Sequence, residues 1–167
     1  MTQPIDVFRT MSDEEMQALV KDMRDNLRPL YKQLETAAAA TLRLRPVYLA
    51  KQPFEKRCQL IRKAFSLKMN ADAAAEILPA FFLERYGTEV VELLDLLGVK
   101  HEEGVLRDNA PKAPSKKKLE EAVAKFTSGE NAIMRGLLLK TFAAQAAIDW
   151  PALDGMLFPA DAVRSAS

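Results

Sequence analysis

Phe54-Glu55-Lys56-Arg57-Cys58-Gln59-Leu60-Ile61-Arg62-Lys63-Ala64-Phe65 is written for a helix. Phe54, Cys58, Ile61 and Phe65 stand at i, i+4, i+7 and i+11, so they share one face at a period of 3.6 residues. Lys56, Arg57, Arg62 and Lys63 fall away from that stripe, which gives the helix a basic outer side.

The same period recurs in both directions along the chain. Met16, Leu19, Val20, Met23 and Leu27 follow Ser12-Asp13-Glu14-Glu15, where the Ser12 hydroxyl and the Glu15 carboxylate are spaced for a capping box. Leu30, Leu34, Ala37, Thr41 and Leu44 make the next stripe, and Pro29 kinks the helix before it or starts a new one. Ile77, Leu78, Phe81, Phe82 and Tyr86 follow Asn70, a good capping residue, with Pro79 inside the run.

Val90 to Leu97 is apolar nearly all round, which predicts deep burial. Gly98 then sits where a left-handed cap is expected, with Val99 beside it. Leu119–Phe126 and Asn131–Ile148 supply two more helical patterns, and Asp149-Trp150-Pro151 opens a last short one. No segment alternates as a strand does. The reading is all-α: a compact orthogonal or up-down bundle of about seven helices.

At 167 residues the chain suits a single domain, 1–167. Within it, residues 1–11 read as an extended or partly ordered arm that Ile5, Val7 and Phe8 could pin to the core. Residues 107–118, with Pro111, Pro114 and Lys116-Lys117-Lys118, read as a linker between a 12–106 and a 119–158 helical part; 159–167 is a polar tail.

A shift of 61 residues aligns Pro53 with Pro114, Phe65 with Phe126, Asn70 with Asn131 and Phe81 with Phe142. Two stacked helical units would explain that echo, and so would chance likeness between amphipathic helices.

Charge is divided sharply. Residues 43–68 hold eight bases, Arg43, Arg45, Lys51, Lys56, Arg57, Arg62, Lys63 and Lys68, against Glu55 alone. Residues 69–104 hold eight acids, Asp72, Glu76, Glu84, Glu89, Glu92, Asp95, Glu102 and Glu103, against Arg85 and Lys100. The total of +1 conceals this. The two blocks either pair within the fold or leave a basic face for a partner of opposite sign.

Catalytic equipment is thin. His101 is the only histidine and Cys58 the only cysteine. Metal sites and nucleophilic dyads draw on several such residues held at set spacings, and no such spacing or phosphate-cradling glycine loop is present. Cys58 lies on the apolar stripe, where cysteine acts as a small core residue. Thr88–Asp108 imitates a helix-turn-helix, but Glu102, Glu103 and Gly104 suit a DNA-reading helix badly.

One cysteine, no signal-peptide pattern and no apolar run of spanning length suggest a soluble cytoplasmic protein without a membrane partner. The function read from these residues is a non-catalytic, protein–protein interaction module without cofactor or metal, its basic face at 43–68 docking an acidic protein surface. The alternative is non-specific association with nucleic acid through the same residues, with Tyr48 as a stacking group.

Overall fold

The computed structural model describes residues 2–159; the rest of the polar tail lies outside the described residues. The fold is all-α. Its helices are α1 (Pro4–Arg9), α2 (Asp13–Asn26), α3 (Arg28–Thr41), α4 (Pro46–Lys51), α5 (Phe54–Phe65), α6 (Ala71–Arg85), α7 (Gly87–Leu97), α8 (Lys116–Thr127), α9 (Ala132–Ala143) and α10 (Pro151–Leu157). A single 3-10 turn, Lys68–Asn70, precedes α6.

Local chemistry sets the boundaries. Ser12 and Glu15 form the capping box: the Glu15 N–H donates to Ser12 Oγ at 3.1 Å and the Ser12 N–H to Glu15 Oε1 at 2.8 Å. Leu27, at φ −136°, breaks α2 from α3, whose first turn holds Pro29. At the end of α7, Gly98 takes φ +69°. Its N–H donates to the Asp95 carbonyl, and the Val99 N–H to that of Leu94, so two otherwise orphaned carbonyls are satisfied.

Four expectations need correction. The 1–11 arm contains a helix, because Pro4 suits a first turn and Asp6 accepts the Gln3 N–H; Ile5, Val7 and Phe8 are buried, with the Phe8 ring 5.1 Å from that of Phe65. The described residues hold ten helices against about seven expected; α1 and α4 are too short to carry a period, while the short α10 stands where Asp149-Trp150-Pro151 placed it. Asn70 stands at the N-cap of α6 as expected, but its side chain makes no capping bond: its amide donates to Thr41 Oγ1 at 2.8 Å and the Ala64 carbonyl at 2.9 Å. The deeply buried helix is α9, not α7, which keeps Val90, Val91 and Leu96 only half-buried.

The helices share one apolar core. α2, α3 and α5 pack on one another, with α4 against α3. α9 lies at the centre, touching α1, α2, α6, α7, α8 and α10. Each large side chain buried there contributes about 1.5–3 kcal/mol. After α7 the chain makes a two-residue hairpin, β1 (His101–Glu102) and β2 (Val105–Leu106), where the sequence imitated a recognition helix.

α5 and α6 recur in order as α8 and α9 near the 61-residue offset, but α8 packs on α7, α9 and α10 whereas α5 packs chiefly on α2 and α3. The 107–118 segment is tied down at Pro111, whose carbonyl accepts the Trp150 Nε1–H at 2.8 Å.

Candidate functional site

The basic block folds as α4, α5 and the turns beside them, and it separates into two kinds of residue. Arg57 and Arg62 work inside the fold. Arg57 donates to the Tyr31 hydroxyl (3.2 Å) and to the carbonyls of Ala50 (2.9 Å) and Gln52 (3.0 Å), clamping α4 onto α5 and α3. The Tyr31 hydroxyl in turn donates to Glu35 at 2.6 Å, and burial, then that bond, pushes its pKa up. Arg62 donates to the Met11 carbonyl at 2.7 Å and lies 3.7 Å from Asp13.

The other six, Arg43, Arg45, Lys51, Lys56, Lys63 and Lys68, are exposed and make no side-chain hydrogen bond or ion pair among the described residues. Lys56 and Lys63, seven residues apart, share the outer side of α5. The Asn70–Thr41 bond brings the two ends of the block together, since Arg43 follows Thr41 and Lys68 precedes Asn70 by two residues each. Exposed apolar side chains lie among these bases: Val47 at 62%, Tyr48 at 53% and Met69 at 72% exposure, with Leu67 beside Lys68.

Arg43 has φ +56°. Its N–H donates to the Ala40 carbonyl and the Leu44 N–H to that of Ala39, so α3 ends as α7 does, with arginine where α7 has glycine. A side chain in that conformation costs about 1–2 kcal/mol.

Three of the eight acids in the acidic block form ion pairs among the described residues, none of them with residues 43–68. Glu92 pairs with Arg135, Asp95 with His101 and Glu102 with Arg107, while the block's own Arg85 pairs with Asp22 of α2. No ion pair joins residues 43–68 to residues 69–104 among the described residues. The charges of the two blocks are thus not directly bonded to one another, although Lys68 and Asp72 line one cleft. The Lys116–Lys118 run begins α8, which packs away from α3, α4 and α5.

The residues with catalytic potential are employed structurally. Cys58 is 2% exposed, and burial outweighs the opposing charges of Arg57 and Arg24 to push its thiol up to about 11. A thiol held so far above neutrality is a poor nucleophile. His101 is fastened at both ring nitrogens: Nδ1 accepts the Gly104 N–H at 3.1 Å and Nε2 lies 2.8 Å from Asp95 Oδ1. These partners assign the tautomer with the proton on Nε2. Glu103 (φ +51°) and Gly104 (φ +91°) form the primed turn that a two-residue hairpin needs, and His101 pins it. No cluster of three or more His, Cys, Asp or Glu side chains suits a metal ion among the described residues. No helix is long and apolar enough to cross a membrane among the described residues.

A second feature escaped the sequence reading: a cavity of about 390 Å³ between α6, α7, the hairpin and α9. Its signal was the surplus of apolar residues on α6 and α7, more than one buried face requires. The chain matches no family model, no curated protein and no solved structure.

Proposed function

We propose that this chain is a non-catalytic interaction module whose basic face docks an acidic protein surface. One observation carries the reading: six exposed cations that make no side-chain hydrogen bond or ion pair among the described residues alternate along residues 43–69 with exposed Val47, Tyr48, Leu67 and Met69. Apolar anchors interspersed with charge suit a protein interface, where the anchors contribute affinity and the charges steer encounter and set register. Phosphate backbones would use the cations and leave Val47 and Met69 with nothing to bury against. Tyr48 is the one residue that also favours single-stranded nucleic acid, through stacking.

Arg43→Glu, Lys63→Glu and Lys68→Glu together form the test, because none of these side chains holds the fold. Affinity capture with the wild-type chain is expected to retain a protein with an acidic surface, and the triple variant to lose it with an unchanged circular dichroism spectrum and melting temperature. Capture indifferent to the reversal would overturn the proposal. A mixed RNA and DNA probe retarded by the wild type, with affinity falling steeply as salt rises, would transfer the face to nucleic acid.

A further inference from the structure

The cavity between α6, α7, the hairpin and α9 has a chemical character of its own. At about 390 Å³ it falls at the lower end of the range in which small-molecule sites lie, about 300–1,000 Å³. Its walls come from Phe82, Val90, Leu94, Leu106, Leu138 and Phe142 among others, and no lining residue is charged. Two polar side chains reach it, Thr141 and Gln145. The Thr141 hydroxyl already donates to the Leu137 carbonyl at 2.9 Å, so it offers only a lone pair. Gln145 is half-buried and its amide makes no hydrogen bond among the described residues, leaving a donor and an acceptor at the edge of an otherwise apolar space.

The surrounding structure forms walls rather than a plug. Gly104 lets the hairpin lie flat on its neighbours: a Cβ there would stand 3.0 Å from Leu83 Cδ1 and 3.2 Å from Val90 Cγ1. Leu83 and Val105, 40% and 55% exposed, line the cavity from the solvent side and leave an apolar rim. Past Gln145, an adjoining cleft that shares Pro79, Thr141 and Gln145 with the cavity carries Lys68 and Asp72. An ionised group inside would lose its hydration with no countercharge to replace it.

We infer that this cavity is a binding site for an uncharged, predominantly apolar small molecule with a single hydrogen-bonding group, which meets Gln145. The site shares no lining residue with the basic face, which comes nearest it at Lys68 in the adjoining cleft.

The probe is N-phenyl-1-naphthylamine, uncharged and with one N–H, titrated into the full chain. The single tryptophan supplies the readout, since Trp150 packs edge-on against the lining residue Phe142 with ring centroids 5.4 Å apart. Saturable one-site quenching of Trp150 by energy transfer is expected. The sulfonated counterpart, 1-anilinonaphthalene-8-sulfonate, should bind at least about tenfold more weakly, because its charge finds no partner inside. Val90→Phe should cut affinity for the neutral dye about tenfold by filling the space. Leu83→Glu, at the exposed rim, should weaken it without touching the core and serves if the first variant does not fold. Absence of saturation, equal affinity for the two dyes, or binding indifferent to the folded variants would each overturn the inference.

Discussion

Asp154 ties stability to pH through its burial. Its Oδ1 is buried without a hydrogen-bond partner, and burial pushes its carboxyl above the usual 3.8. The folded state therefore holds the proton more tightly than the unfolded chain does. Its favourable contribution is present below pH 3.8 and is lost as pH rises through that value toward the raised one. Asp154→Asn is expected to raise the melting temperature at pH 7 and to leave it unchanged near pH 3, as thermal scans at the two pH values will register. Sequence alone could not foresee this, because Asp154 stands in an ordinary first turn; its meaning comes from packing. Cys58 is the opposite case. Its place at i+4 from Phe54 and i−3 from Ile61 marked it as core, and it is core.

At the scale of the element, α5 carries two sets of cations that look alike in sequence. Arg57→Ala removes three hydrogen bonds from a guanidinium and should cost about 1.5–3 kcal/mol. Lys63→Ala removes none and should change stability by less than about 0.5 kcal/mol. Urea denaturation of the two variants measures the difference; equal losses would contradict the division of the block into structural and free residues.

The helical period revealed which side of α5 is basic, but not that Ala50 and Gln52 would offer carbonyls to one arginine and not to its neighbours. That depends on the short α4, whose six residues hold too little pattern to be read. The hairpin was equally hidden, since two-residue strands have no alternation, and Glu103-Gly104 became a turn through the grip of His101. The cavity needed three elements and a hairpin to exist at all, so no single stretch announced it.

For the whole molecule, the continuity of the core decides cooperativity. α9 touches helices from both sides of the 107–118 segment, and residues from both belong to one apolar cluster. Calorimetry is expected to give a single unfolding transition whose calorimetric and van't Hoff enthalpies agree; two resolved transitions would refute that continuity. All-α architecture was legible because periodicity reports directly on helices. The central position of α9 was written in the sequence too: its apolar residues run all round, whereas α7 gathers Leu93, Leu94 and Leu97 on one face and Glu89, Glu92 and Asp95 on another, so the deep burial expected of α7 belongs to α9.

The place of α9 late in the chain also orders events during synthesis. The contacts among α2, α3, α4 and α5 all fall within residues 13–65, so the basic face is assembled from near neighbours. Residues that complete the core emerge some eighty positions later, on the order of ten seconds at ribosomal speed. A nascent chain thus presents its cations while the apolar faces of α1, α2 and α6 still wait for α9. The residues of the basic block all leave the ribosome before α9, the helix on which the single core depends.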